Sequence, residues 1–149
     1  NQIHENVLRT GARVHSGGTL ITIEGPRFST KAESNIFRSW GLSIIGMTAS
    51  PEAFLAREAE MCYSTMAHVT DFDVWHVSME PVTVEMVIKT LHQNTNFAQE
   101  AIRNLAKNID DGSKCSCQDS LASAVITNPD AINAETKEKL QLLLGKYIS

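Results

Sequence analysis

The sequence predicts an α/β fold, in which short strands alternate with helices along the chain. Two observations carry this prediction. Apolar runs rich in β-branched residues occupy residues 19–24 and 43–48, and a third candidate strand covers residues 62–69. Helices are indicated between and after these runs, because apolar residues recur there at the spacing of one helix face, most regularly from residue 83 onward.

The first predicted helices are marked by residues typical of helix ends. Residues 3–8 are expected to form the end of a helix that stops at Gly11. The next helix begins with a capping box, because Thr30 supplies the N-cap hydroxyl and Glu33 supplies a carboxylate three residues later. Gly41 is expected to terminate that helix.

Three more helices are predicted in the rest of the chain. One is expected after Ser50-Pro51, with the serine as N-cap and the proline at the first helical position. Its buried side would consist of four apolar residues: Phe54, Leu55, Ala59 and Met61. A long helix is predicted from Thr83, and a last one over residues 135–147.

The composition is that of an ordinary globular protein. The chain has 149 residues, of which 42% are hydrophobic and 20% charged, and its formal net charge is −4. Nucleic acid is not expected as a partner, because binding a phosphate backbone requires a basic stripe. No apolar run approaches the ~20 residues of a membrane span, so no membrane partner is expected. An odd number of cysteines, 3, argues against a secreted disulfide framework and favours a cytoplasmic protein.

Candidate functional residues follow the predicted strands, at the point where ligands bind in open α/β sheets. Residues 24–29 begin at the end of the first strand, and Met47 and Thr48 lie at the end of the second. Asp71 and Asp73 come after the third. An apolar strand would carry each of these groups into a cleft.

Asp71 and Asp73 are two positions apart, so their side chains point to the same face if strand geometry continues there. Two neighbouring carboxylates repel each other, and one is then expected to keep a proton near neutral pH. A protonated acid donates a hydrogen bond while its ionised neighbour accepts one, which suits the N7 atom and exocyclic amine of adenine. The alternative is a helix cap or a solvated pair in a loop.

No metal site is predicted. The five histidines lack a metal-binding spacing such as H-E-x-x-H. Cys115 and Cys117 form a Cys-x-Cys pair without the second pair of ligands that a structural zinc site needs. Two free thiols or a strained redox bridge are the interpretations left open. Arg27 is expected to form a surface or structural ion pair rather than to bind phosphate.

Several motifs in one register resemble the trimeric purine nucleoside phosphorylase family. They are Thr22-Ile23-Glu24-Gly25-Pro26-Arg27-Phe28-Ser29, Ala32-Glu33-Ser34, Met47-Thr48, Pro51-Glu52 and Ala56-Arg57-Glu58. The stretch Thr70-Asp71-Phe72-Asp73-Val74-Trp75 is similar to the methylthioadenosine phosphorylase branch of that family. The resemblance implies part of a purine nucleoside phosphorylase-like fold, with a central mixed β-sheet flanked by helices.

The activity implied by this resemblance is phosphorolysis of 5′-methylthioadenosine to adenine and 5-methylthioribose 1-phosphate, a reaction of methionine and purine salvage. Inorganic phosphate is then a co-substrate that attacks C1′ of the ribose, and no cofactor is expected. Two alternatives stay open: a phosphorylase for another purine nucleoside (adenosine, inosine or methylthioinosine), and a non-catalytic purine-binding fragment.

The resemblance also implies a role for each candidate residue. Asp71 would be the acid near N7 of the purine, and Asp73 would help to hold the 6-amino group. The other implied contacts are those of Ile23, Phe28 and Ser29 with the base, Met47 with the ribose, Thr48 with phosphate, and Val82, Val84, Val87 and Ile88 with the 5′-methylthio group. Gly46 departs from the family pattern, in which better-known relatives carry an asparagine.

The implied domain organisation makes residues 1–149 the C-terminal portion of a single phosphorylase domain. Most of the phosphate site would belong to the N-terminal half of the same protein, which is not part of this chain and would be needed for turnover. The resemblance further implies a homotrimer, or a hexamer of two trimers.

Overall fold

The computed structural model describes residues 2–76, 83–109 and 114–148. Its helices and strands alternate in the first part of the chain, which confirms the α/β class. The elements in chain order are α1 (Gln2–Leu8), β1 (Leu20–Thr22), α2 (Lys31–Ser39), β2 (Ile44–Gly46), α3 (Glu52–Glu58), α4 (Val84–Asn108) and α5 (Ala134–Ile148), with single 3-10 turns at Ser116–Asp119 and Pro129–Ala131.

The chain divides into two compact units, and each contains two stretches of sequence. The first unit consists of Asn1–Met47 and Thr65–Asp111. The second unit consists of Thr48–Ser64 and Gly112–Ser149. The first therefore contains both strands with α1, α2 and α4, and the second contains α3, α5 and the two 3-10 turns.

The centre of the first unit is a β-α-β motif made by β1, α2 and β2. The two strands pair in parallel, with Ile21 opposite Ile45, and the connection between them is α2. The predicted capping box is confirmed, because the Thr30 hydroxyl accepts from the Glu33 amide and the Glu33 carboxylate accepts from the Thr30 amide. Gly41 follows the helix with φ +79°, a conformation that glycine adopts without steric cost.

Two helices of the first unit, α1 and α4, pack against each other. Val7 of α1 is buried, and so are Ala98 and Ala101, which are one turn apart on α4. Small alanines on one face of a helix let a neighbouring helix approach closely. The helix α4 begins at the predicted position, with Thr83 as its N-cap. No helix in the described ranges, α4 with its 25 residues included, is long and apolar enough to cross a bilayer.

The predicted third strand is wrong. Residues 62–69 form neither a helix nor a strand, and the described part of the chain has a single sheet of two strands. A strand is stable only when its backbone pairs with a neighbour, and a suitable apolar run does not supply that neighbour. The carbonyl of Val69 instead accepts a hydrogen bond from the side chain of Asn94, at 2.9 Å.

The helix α3 of the second unit also differs from its prediction. Its N-cap is Pro51 and no side chain caps it, so the predicted role of Ser50 is wrong. Phe54 and Leu55 are exposed, and Met61, beyond its end, is exposed as well. Of the four residues expected to be buried, Ala59 is half-buried and the other three are open to solvent. The last predicted helix is confirmed as α5.

Candidate functional site

The parallel strands place the ends of β1 and β2 at one edge of the sheet. The amide of Ile23, just past β1, donates to the carbonyl of Gly46 at 2.9 Å and extends the pairing by one residue. Met47 follows Gly46 directly, and both Ile23 and Met47 are half-buried. Two residues predicted to contact a ligand therefore lie at the carboxyl edge of the sheet, where ligands of α/β proteins bind.

Gly25 is part of the same edge, although the sequence alone gave it no role of its own. A Cβ atom added at Gly25 would lie 2.9 Å from Sδ of Met47, which is closer than the two atoms can approach. The Met47 side chain can therefore occupy its observed position because Gly25 has no side chain. A glycine directly after a predicted strand was the available signal.

Arg27 and Glu33 fasten the loop after β1 to the start of α2. The guanidinium donates to both carboxylate oxygens of Glu33, at 2.9 and 2.7 Å. Bonding from Arg27, and then from Thr30, lowers the pKa of Glu33 to about 2, and the pKa of Arg27 is raised by Glu33. The predicted structural role of Arg27 is confirmed.

The loop held by Arg27 presents Phe28, one of the predicted ligand contacts. The Phe28 side chain is 82% exposed, and the neighbouring Ser29 is half-buried. An aromatic ring this exposed on a fastened loop is available to stack on another planar group.

Asp73 is tied to α2 by a side chain that sequence reasoning missed. Ser34 of α2 is only 1% exposed, and its hydroxyl donates to Oδ2 of Asp73. The other carboxylate oxygen, Oδ1, accepts from the backbone amide of Val74 at 2.8 Å. Asp73 is thus half-buried with both oxygens oriented. The only sequence signal for Ser34 was its place in the Ala32-Glu33-Ser34 motif.

Asp71 has a different environment from Asp73. It is exposed, and its Oδ1 accepts from the Thr70 hydroxyl at 2.5 Å. The expectation that the two acids share the end of a strand is wrong, because the preceding segment is not a strand. Their assignment to the purine stays a prediction.

Aromatic contacts add to the attachment of the Asp73 segment. The guanidinium of Arg38, on α2, lies 4.0 Å from the centre of the Trp75 ring, within the range of a cation–π interaction. The Phe72 ring stacks on His76 with ring centres 4.3 Å apart. The segment that contains both acids is therefore held to α2 by contacts at Asp73 and Trp75.

The beginning of α4 carries the apolar residues predicted to surround a thioether. Val84, Val87 and Ile88 have the i, i+3, i+4 spacing of one helix face. Val84 is 75% exposed and Ile88 48%, while Val87 is half-buried. They form an apolar stripe open to solvent. The fourth predicted residue, Val82, lies outside the described residues.

Thr48, the predicted phosphate contact, belongs to the second unit and is exposed. The other described candidate residues all belong to the first unit. The structure thus gathers the predicted base and ribose contacts in one unit, and the phosphate role of Thr48 stays a prediction.

The second unit has a polar cluster built on Glu60. Its Oε1 accepts from the Leu121 amide at 3.0 Å and from the Tyr147 hydroxyl at 2.5 Å, and Lys146 lies 3.6 Å from its Oε2. These contacts, that of Tyr147 first, lower the pKa of Glu60, and Glu60 in turn raises the pKa of Tyr147. The pKa of Lys146 is raised, mainly by Asp119 at 2.6 Å.

The second unit also brings together all three cysteines, a grouping that sequence spacing did not predict. The sulfur atoms of Cys62, Cys115 and Cys117 lie within 4.8 Å of one another. Sγ of Cys62 is 2.9 Å from Sγ of Cys115, although the residues are 53 positions apart. Hydrogen bonding to Cys115, and then to Cys117, raises the pKa of Cys62 to about 11, and the pKa of Cys115 is lowered.

A cavity of about 320 Å³ in the second unit is lined mainly by apolar side chains of α5 and the segment before it, among them Val125, Ile132, Leu140, Leu144 and Ile148. None of the described candidate residues lines it.

Comparison with known proteins identifies the family. A protein-family model described as "Phosphorylase superfamily" matches residues 1–107. The chain belongs to the phosphorylase superfamily. The match to this superfamily includes the edge of the sheet, both acids and most of α4, whereas Cys115 and Cys117 lie beyond it.

Curated members of the phosphorylase superfamily are similar to most of the chain. The S-methyl-5′-thioadenosine phosphorylase of Geobacter sulfurreducens is 52% identical over 138 residues, which is 93% of this chain and 48% of that protein. The enzyme of the same name from Chloroflexus aurantiacus is 52% identical over 139 residues, again 93% of this chain and 48% of the relative. The chain spans about half the length of the curated relatives it matches.

Solved structures of superfamily members share the fold. A methylthioadenosine phosphorylase from an antarctic soil metagenomic library has a TM-score of 0.81 and 37% identity, covering 96% of this chain and 51% of its own. A mutant adenosine/methylthioadenosine phosphorylase from Schistosoma mansoni, in complex with adenine, has a TM-score of 0.66 and 31% identity over 81% of this chain and 48% of its own.

Proposed function

We propose that this chain, as the C-terminal half of a phosphorylase domain, takes part in the phosphorolysis of 5′-methylthioadenosine to adenine and 5-methylthioribose 1-phosphate. The observation that carries the proposal is the attachment of the Asp73 segment to α2. It orients one acid through Ser34 and leaves the carboxylate of Asp71 exposed in the same unit as the edge of the sheet. Relatives named S-methyl-5′-thioadenosine phosphorylase support the substrate.

The two acids suit the two hydrogen-bonding groups of adenine. N7 is an acceptor and the exocyclic amine is a donor. In the proposed reaction a phosphate oxygen attacks C1′, the C1′–N9 bond breaks, and its electron pair moves onto the purine. Asp71 transfers a proton to N7, and Asp73 accepts a hydrogen bond from the amine. Electrostatic help of this kind to the leaving group is a major part of enzymatic rate enhancement.

The exposed apolar residues suit the remaining parts of the substrate. Phe28 would stack on the base, with Ser29 and Ile23 beside it, and Met47 would lie under the ribose. The stripe of Val84, Val87 and Ile88, together with Val82, would enclose the 5′-methylthio group. A thioether is favoured by a dry apolar wall, whereas a 5′-hydroxyl requires a hydrogen-bonding partner.

The proposed enzyme needs more than this chain. Thr48 would border the phosphate, and the N-terminal half of the domain would supply the rest of the phosphate site. Exposed large side chains such as Trp40, Phe54 and Leu55 support packing against further protein, because exposed apolar patches mark interaction surfaces. We include in the proposal a homotrimer or hexamer, a cytoplasmic location, and phosphate as co-substrate with no cofactor.

Adenosine is a second candidate substrate, because a structurally similar enzyme is named adenosine/methylthioadenosine phosphorylase. The two nucleosides differ only at the 5′ position. A comparison of their kcat/KM values therefore reports on the stripe at the beginning of α4. Polar substitution by Val87→Thr is expected to lower kcat/KM for methylthioadenosine more than for adenosine.

The reaction is tested by measuring adenine release from 5′-methylthioadenosine with and without phosphate, using the complete phosphorylase domain that contains this chain. We expect release to require phosphate. Asp71→Asn should lower kcat/KM for methylthioadenosine by about 100-fold or more, as loss of an acid–base group does, and shift preference toward methylthioinosine. Asp130→Asn, which changes an exposed carboxylate of the second unit, is the matched control. Phosphate-independent release, or unchanged activity in Asp71→Asn, would contradict the proposal.

A further inference from the structure

The sulfur atoms of the three thiols of the second unit lie nearly as close together as the ligands of one metal ion. Their sulfur atoms lie within 4.8 Å of one another, and Cys62 and Cys115 approach to 2.9 Å. Sulfur atoms that share one Zn²⁺ or Cu⁺ ion are about 4 Å apart, since each metal–sulfur bond is about 2.3 Å long. A shift of about 1 Å between Cys62 and Cys115 would therefore make room for an ion among the three.

The surrounding fold holds the cluster from both of its stretches of sequence. Glu60 is two residues before Cys62, and its carboxylate accepts from the backbone amide of Leu121, four residues after Cys117. The hydroxyl of Ser120 donates to the carbonyl of Cys117 at 2.7 Å. The Glu60–Leu121 bond joins the two stretches independently of the thiols, and the Ser120–Cys117 bond supports the turn that carries Cys117, so the three sulfur atoms are already close before any ion binds.

The sulfur of Cys115 is further oriented by the backbone. It accepts a hydrogen bond from the amide of Cys117 at 3.3 Å. Such bonds to a sulfur ligand are common around thiolate metal centres and tune their properties. Cys62 is exposed, and Cys115 and Cys117 are half-buried, so an ion can reach the cluster from solvent.

We propose that Cys62, Cys115 and Cys117 form a three-sulfur site for a single thiophilic cation, with monovalent copper preferred over zinc. Soft thiolate ligands select Cu⁺ and Zn²⁺ over hard cations such as Mg²⁺ and Ca²⁺. Among the described residues no fourth histidine, cysteine or carboxylate joins the group. Structural zinc sites almost always have four protein ligands, so a site with three sulfur ligands favours Cu⁺.

The proposal is tested by anaerobic titration of the reduced full protein with Cu⁺ against a chromophoric Cu⁺ chelator, and in parallel with Zn²⁺. We expect one Cu⁺ per chain, bound more tightly than Zn²⁺, and an X-ray absorption spectrum with three sulfur neighbours around copper. The chain has 3 cysteines in total, so its own thiols beyond this cluster cannot contribute. In the longer protein, Cys→Ser changes outside this chain remove any other thiols.

Single substitutions identify the ligands. Cys62→Ser, Cys115→Ser and Cys117→Ser should each lower Cu⁺ affinity by more than the roughly 10–100-fold that loss of an outer group costs. Ser116→Ala, between two of the cysteines, is the matched control and should bind as the parent does. Circular dichroism checks that each variant is folded, and Cys115→Ala and Cys117→Ala repeat the test at the two more buried positions.

Unchanged affinity in Cys62→Ser, a spectrum with two sulfur neighbours, or a disulfide that persists after reduction would overturn the three-sulfur site. Tighter binding of Zn²⁺ would overturn the preference for copper.

Discussion

The two compact units differ in where their polar and reactive side chains find partners. In the second unit, Glu60 bonds to Tyr147 and Leu121, and the thiols contact one another. In the first unit, several side chains assigned to the ligand are turned to solvent, with Phe28 82% and Val84 75% exposed. The polar and reactive groups of the second unit thus find partners within that unit, whereas several side chains predicted to contact a ligand in the first unit are open to solvent.

This difference shows which kind of function each unit can reveal without a ligand. When the members of a cluster contact each other, as the three thiols do, the structure of the chain alone shows which groups act together. The site proposed for the first unit would need substrate and further protein, and its described internal contacts are the bonds of Ser34 to Asp73 and of Arg27 to Glu33.

The largest loss of stability is expected when the hydrogen bond from Ser34 to Asp73 is removed. Ser34→Ala leaves a carboxylate oxygen of Asp73 without its buried donor, which should cost about 1–3 kcal/mol of unfolding free energy. Urea denaturation measures the loss, and hydrogen exchange should show the Val74 amide less protected. Ser39→Ala, at an exposed position of the same helix, is the control. If both variants were equally stable, the Ser34–Asp73 bond would not fasten the segment.

A smaller loss of stability is expected from Glu60→Gln, and this loss should depend on pH. The folded-state pKa of Glu60 is below its ordinary value of 4.5, so its contacts stabilise the protein above that pH. Their contribution is lost as the pH falls through the folded-state value and the carboxylate gains a proton. Thermal unfolding should therefore separate parent and variant at pH 7 and bring them together in acid.

The exposed Glu58 provides the control for that measurement, because Glu58→Gln changes a nearby carboxylate of α3. Hydrogen exchange at the Leu121 amide, which bonds to Glu60, should increase more than exchange in β1. An equal increase in hydrogen exchange at Leu121 and in β1 would contradict the contrast between the units, because the contacts of Glu60 would then stabilise both units alike.

The smallest change in stability is expected from Gly25→Ala, at the edge of the sheet. The added Cβ meets the end of a flexible side chain, Sδ of Met47, which can move. The cost should stay within about 1 kcal/mol, yet the methyl resonance of Met47 should shift. At Gly46 a Cβ would make only ordinary contacts with Leu20 at 3.8 Å, so Gly46→Ala is the control. An unchanged Met47 signal in Gly25→Ala would show that the two residues do not meet.

The elements with local signals were predictable from the sequence. The capping box of Thr30 and Glu33, the start of the long helix at Thr83 and the stop at Gly41 are all where they were predicted. The strand over residues 62–69 was not, because a strand depends on a partner that the run itself does not encode. The interpretation of Asp71 and Asp73 as a pair at the end of a strand was wrong for the same reason.

The sequence by itself determined most of the helix boundaries and the motifs that resemble a phosphorylase, since these rest on residues a few positions apart. Only the tertiary structure decided which distant residues meet. Ser34 bonds to Asp73 across 39 positions, Glu60 to Leu121 across 61, and Cys62 contacts Cys115 across 53. Such contacts depend on how whole elements pack, because no local preference of the backbone specifies which distant side chain a residue will face.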